Sequence, residues 1–164
     1  MKAELYPIPE VPSGKLAIMP RPRAGDWLSD EIASWKRDGV NLVVSLLEDE
    51  EIEELGLDAE ADECAKAGVA YLRHPIADRG LPESRQRFAE FVDELVRELK
   101  RGRSIAIHCR IGVGRSALVA ACVLVAMGRP LSDVWTTIQK ARGMSVPDTE
   151  EQRAWVAKFT PLAH

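Results

Sequence analysis

The chain has 164 residues, 46% hydrophobic and 29% charged, with a formal net charge of −4. These values fit one globular domain with a substantial core, and no long tract of low hydrophobicity suggests disorder. The acidic balance also lacks the basic footprint of a nucleic-acid binder, so any anion site must be local, built from backbone amides and one or two arginines.

Three cysteines, Cys64, Cys109 and Cys122, are too few and too odd in number for a disulfide framework. The histidines, His74, His108 and His164, include no pair at metal-ligand spacing, and neither metal nor cofactor is expected. The segment Met1-Lys2-Ala3-Glu4-Leu5-Tyr6-Pro7 holds no apolar run of signal-peptide length. The longest apolar stretch, Ala117 to Met127, is too short to cross a bilayer. These features predict a cytoplasmic, reducing setting without membrane insertion.

In chain order, a proline-rich segment at about 1–24 reads as extended or looped, with room for one short strand at Lys15–Met19. Gly25-Asp26-Trp27 opens a helix that carries Leu28, Ile32 and Trp35 and stops at Gly39. Asn41–Leu47 is a buried strand by its β-branched apolar run. Glu48 to Glu54 is acidic and reads as a solvated loop or helix start rather than a metal site. Ala59–Ala67 is helical up to Gly68, and Val69–Ile76 forms the next strand. From Glu83 to Arg101, Phe88, Phe91, Val92, Leu95 and Leu99 share a helical face that ends at Gly102. Ser104–His108 is a strand and Ser116–Met127 an apolar helix. A further helix is capped by Ser132 or Asp133 and runs to about Arg142, and a last one begins after Pro147-Asp148-Thr149. Strands alternating with helices predict an α/β fold, one domain over 1–164, with a central, largely parallel sheet flanked by helices. Ligands in such folds bind where strands end and helices begin.

His108-Cys109-Arg110-Ile111-Gly112-Val113-Gly114-Arg115-Ser116 lies at such a junction. Gly112 and Gly114 permit the backbone of an anion nest, and the following helix turns its first amides into the same loop. Residues Arg110 to Arg115 would thus cradle a phosphate or another oxyanion. The same dipoles favour a thiolate at Cys109, the candidate nucleophile. Arg115 can hold two phosphate oxygens with its planar fork. The Ser116 hydroxyl is placed to hydrogen-bond the cysteine sulfur when it leaves. A leaving group also needs an acid, and Asp78, in a loop with Gly80 and Pro82 after a predicted strand, is the candidate. Cys122, on the apolar helix, reads as a core residue, and Cys64 as an inert thiol.

The string His-Cys-x-x-Gly-x-Gly-Arg-Ser resembles the signature of protein-tyrosine phosphatases, dual-specificity branch. Tyr71 to Asp78 is similar to the general-acid loop of the kinase-associated phosphatase group, and Ser116 to Cys122 to its following helix. Glu151-Gln152 resembles the segment whose glutamine, here Gln152, positions the hydrolytic water. The resemblance implies a cysteine-phosphatase architecture and a two-step, metal-independent hydrolysis through phosphocysteine. The implied partner is a protein or peptide phosphorylated on tyrosine, serine or threonine. Phosphatases of phosphoinositides, inositol phosphates or other small esters share this chemistry and stay open. So does a non-catalytic phosphopeptide-binding module, against which the intact Cys109, Arg115 and Asp78 argue. A sulfurtransferase or arsenate reductase gives no reason for the Asp78 loop.

Overall fold

The computed structural model describes residues 4–162; Met1-Lys2-Ala3 and His164, named above, lie outside them. Among the described residues five strands form one sheet: β1 (Tyr6–Ile8), β2 (Lys15–Met19), β3 (Leu42–Ser45), β4 (Ala70–Arg73) and β5 (Ser104–His108). Their order across the sheet is β1-β2-β5-β3-β4. All pairs are parallel except β1 with β2. β5 therefore occupies the centre, and its C-terminal end opens where β2 and β3 also end.

β1 departs from the sequence expectation of one strand in the proline-rich segment. Pro7 has no N–H for a ladder, which is tolerated because β1 is an edge strand. β3 and β4 are shorter than their apolar runs: the chain leaves the ladder while its side chains stay buried, as at Leu46, Leu47 and Ile76.

Among the described residues seven helices cover the sheet: α1 (Asp26–Arg37), α2 (Asp49–Glu54), α3 (Glu60–Ala67), α4 (Arg85–Lys100), α5 (Arg115–Ala126), α6 (Leu131–Arg142) and α7 (Glu150–Ala157). The acidic run 48–54 is thus a full helix, begun by a capping box between Glu48 and Glu51. α6 begins after Pro130, with no side-chain cap from Ser132 or Asp133. Its fixed φ suits a helix start, where the missing N–H would be unpaired anyway. Among the described residues no helix is long and apolar enough to cross a membrane.

Alternation along β5 separates two cores. Ile105 and Ile107 face the layer of α4, α5, α6 and α7, whereas Ala106 faces the smaller layer of Trp35, Val43, Leu57 and Cys64. In α5 every residue from Arg115 to Leu124 is buried, which explains an apolar helix with little polar face. Phe88 anchors the larger core, with ring centroids 5.1 Å from Trp155 and 5.9 Å from Phe91 and Phe159. Phe88→Ala should lower the unfolding free energy by about 3–5 kcal/mol, read from urea titration. A loss below about 1 kcal/mol would show that this aromatic cluster is not part of the cooperative core.

Candidate active site

β5 ends at His108, and the chain passes through Cys109–Gly114 into α5. The carbonyls of residues 108–112 are all engaged by groups outside the cradle. Leu46 N–H donates to the His108 carbonyl at 3.0 Å and Arg21 N–H to that of Arg110 at 3.0 Å. Arg142 donates from Nη2 to the Ile111 carbonyl at 2.9 Å and from Nε to that of Gly112 at 3.1 Å. The His108 ring lies with Nδ1 3.3 Å from the Cys109 carbonyl. Five consecutive carbonyls are engaged outward, while the N–H groups of residues 110–114 have no partner among the described residues. Such a set of free donors, continued by the first turn of α5, is an anion cradle.

The two glycines serve different needs. Gly112 has φ +74, and a β-carbon there would come within 2.6 Å of the Met19 carbonyl oxygen. Gly114 has an ordinary φ of −83, and its requirement is space: the Asp148 carboxylate sits where its β-carbon would be. Val113 is buried in the larger core, whereas Ile111 stands 58% exposed at the crest of the loop.

Cys109 is buried, and Ser116 Oγ donates to its sulfur at 3.1 Å. Arg115, only 1% exposed, makes a bidentate pair with Glu51, Nη1 to Oε1 at 2.7 Å and Nη2 to Oε2 at 3.0 Å. Nη1 also reaches the Ile76 carbonyl at 2.8 Å, and Nη2 reaches Asp78 Oδ1 at 3.3 Å. Burial alone would lower the Arg115 pKa; the Glu51 bonds and the nearby charges of Cys109 and Asp78 outweigh it and raise it. For Glu51, burial pulls upward, but the bonds from Arg115 and from Glu48 N–H hold its carboxyl below the usual range.

Asp78 is half exposed, in a loop fastened at two points. Gly80 N–H donates to the Ala77 carbonyl at 2.7 Å, and Gln152 Nε2 donates to the Gly80 carbonyl at 3.2 Å. Gln152 is fully buried and its Oε1 accepts from Thr149 N–H, closing the capping box of α7. Its amide thus ties α7 to the Asp78 loop. The Arg110 side chain turns away from the cradle to Glu54 at 3.1 Å and Glu51 at 3.9 Å, so its share in the loop is backbone. Among the described residues no group of three or more His, Cys, Asp or Glu is placed to hold a metal ion.

Sequence reasoning missed Glu51 and Arg142. A buried arginine demands a counter-charge, but the run 49–54 offers five carboxylates and the chain alone cannot choose among them. Arg142 gave no signal: it lies 30 residues beyond Gly112, and its guanidinium also stacks on Tyr6, 4.1 Å from the ring centroid.

The Glu51 carboxyl is held low, so its stabilisation is complete above the unfolded value of 4.5 and is lost as pH falls through the lower folded value. Glu51→Gln should cost about 3–5 kcal/mol at pH 7 by leaving Arg115 uncompensated. In urea titrations the gap to the wild type should narrow below pH 4.5. A gap that stays constant down to pH 3 would remove the ion pair as its source.

The chain is similar to several known proteins. Human cyclin-dependent kinase inhibitor 3 is 34% identical over 96 residues, 57% of this chain and 45% of that protein. The chain thus spans about half the length of the curated relatives it matches. A kinase-associated phosphatase with its catalytic cysteine changed to serine superposes with a TM-score of 0.85 at 22% identity, over 97% of this chain and 94% of that one. The active form of Tk-PTP gives 0.71 at 27% identity, over 93% and 94%. The family model described as polymorphic toxin system, DSP-PTPase phosphatase matches residues 17–129, more than half of the chain, and the chain belongs to that family of dual-specificity, cysteine-dependent phosphatases.

Proposed function

We propose that this chain hydrolyses phosphate monoesters through a phosphocysteine at Cys109. The observation that carries the reading is the loop itself: five carbonyls are held outward around a buried sulfur, leaving the donors of residues 110–114 for an oxyanion. In the first step the Cys109 thiolate attacks phosphorus, the S–P bond forms and the P–O bond to the leaving group breaks. Arg115 has its Nη edge fixed by Glu51, so Nε and Nη2 are left as the fork for two phosphate oxygens. Binding there takes Nη2 from Asp78; released from the cation, that carboxylate takes up a proton from solvent and, as the neutral acid, passes it to the departing oxygen. In the second step Asp78 takes a proton from water, water attacks phosphorus and the S–P bond breaks. Ser116, already donating to the sulfur, stabilises the returning thiolate. Gln152 holds the Asp78 loop through Gly80, and its amide, released from that carbonyl, would reach the attacking water.

The substrate we assign is a phosphorylated protein or peptide. A polyphosphorylated inositol or lipid headgroup needs several free cations beside the cradle. Arg110, the other cation within the loop, is already neutralised by Glu54 and Glu51. The exposed Ile111 instead offers apolar surface to a peptide flank. All three cysteines are free, which supports a reducing, cytoplasmic setting.

Hydrolysis of a small aryl phosphate without added metal tests the chemistry. Cys109→Ser should abolish turnover; full activity in that variant would end the proposal. Asp78→Asn should reduce turnover by about 10²–10⁴ with poor leaving groups and far less with nitrophenolate. Equal losses across leaving groups would remove Asp78 from the acid role. Phosphopeptides should be turned over with higher kcat/KM than inositol phosphates, and the reverse order would reassign the substrate class.

A further inference from the structure

A buried acid–imidazole pair lies beneath the candidate nucleophile. His108 Nε2 is 2.7 Å from Glu60 Oε2, and both residues are 0% exposed. Glu60 comes from the first turn of α3, on the side of the sheet away from α5. Among the described residues no Lys or Arg forms an ion pair with Glu60, and its Oε1 has no hydrogen-bond partner. The neighbours are not cationic. Trp35 of α1 faces the His108 ring at 6.4 Å between centroids. Burial, reinforced by the Glu60 charge, pushes both the Cys64 thiol of α3 and the Tyr71 hydroxyl of β4 up to about 12, so both stay protonated.

Hydrogen-bond bookkeeping limits how many protons the pair holds. The Cys109 carbonyl can only accept, and so can a Glu60 carboxylate. A neutral imidazole carries one N–H and can satisfy one of them, not both. Both contacts are made only if the pair holds two protons, one on Nδ1 toward Cys109 and one on the line between Nε2 and Oε2. The 2.7 Å separation suits a charge-assisted N–H···O bond with the second proton on Nε2, and equally an O–H···N bond from a protonated Glu60; we take the first. A glutamine at 60 would satisfy Nε2 without burying charge and at a lower desolvation penalty. The fold alone does not require the carboxylate.

We propose that Glu60 is a positioning residue for the nucleophile: it keeps His108 as an imidazolium, whose Nδ1–H holds the Cys109 carbonyl out of the cradle and whose charge favours the Cys109 thiolate. Cys109 as the nucleophile is the reading given above, and this inference rests on it. Glu60→Gln separates geometry from charge. Its amide can donate to Nε2 while Nδ1–H still holds the Cys109 carbonyl, so every hydrogen bond survives with one proton fewer.

The experiment compares wild type, Glu60→Gln and Cys109→Ser by iodoacetate alkylation at pH 6, by aryl phosphate turnover, and by nitrogen NMR of the His108 ring. Wild type should show both ring nitrogens protonated at pH 7, and Glu60→Gln only Nδ1. Glu60→Gln should lower the alkylation rate and kcat on the order of tenfold, the equivalent of one unit in thiol ionisation, with KM changed far less. A wild-type ring carrying one proton overturns the inference without any variant having to fold. So does a folded Glu60→Gln that reacts like wild type while Cys109→Ser is inert. Turnover by Cys109→Ser would instead overturn the reading on which the inference rests.

Discussion

The active-site region depends on one buried guanidinium. Arg115 lies at the first position of α5 and is nearly inaccessible, a placement that an unpaired arginine could not hold. Its partners come from three places in the chain: Glu51 on α2, the Ile76 carbonyl after β4, and Asp78 two residues on. Meeting on one group, these segments fix the position of the acid loop relative to the cysteine loop. The interaction that settles a folding problem also sets the distance between candidate nucleophile and candidate acid. This is why the acidic run at 48–54 is an ordered helix, with Glu51 turned inward and its neighbours mostly outward.

Most of the layout was legible in the chain, for identifiable reasons. Hydrophobic periodicity located α4, whose buried face at Phe88, Phe91, Val92, Leu95 and Leu99 matches the pattern read from sequence. The apolar helix after the cysteine loop was legible because its whole circumference is buried. β1 was not, since a three-residue edge strand around Pro7 has no periodicity to detect and is specified by its pairing with β2. Within the site, local signals carried Cys109, Ser116 and the glycines. Partners contributed from a distance, namely Glu51, Arg142 and Glu60, were invisible for a common reason: each is an ordinary charged residue on a helix, and only tertiary packing turns it inward.

The reading of the glycines was correct in position and incomplete in cause. Both were read as permitting the unusual backbone of an anion nest, yet only Gly112 uses an angle that other residues avoid. Gly114 is required by what stands beside it, the Asp148 carboxylate, a constraint carried by a residue 34 positions away. Sequence shows that a glycine is present but not whether its conformation or its emptiness is needed.

Several departures from simple folding economy lie at one end of the sheet, while another, Glu10 at φ +60, lies in the turn between β1 and β2. The cradle leaves a run of N–H groups without protein partners, Glu60 buries a carboxylate oxygen with nothing to bond, and Arg79, next to Asp78, sits at φ +59, where a non-glycine residue is strained. Each is unfavourable by itself and none improves packing. The two apolar cores beneath show no comparable concessions, and their aromatic and aliphatic contacts supply the stability that lets the site hold these groups in place. A protein that only recognised phosphate could manage with the cradle and Arg115. Neither the buried pair of His108 and Glu60 nor the tethered Asp78 loop is needed for recognition alone, and the proposed reaction at phosphorus would give both a use.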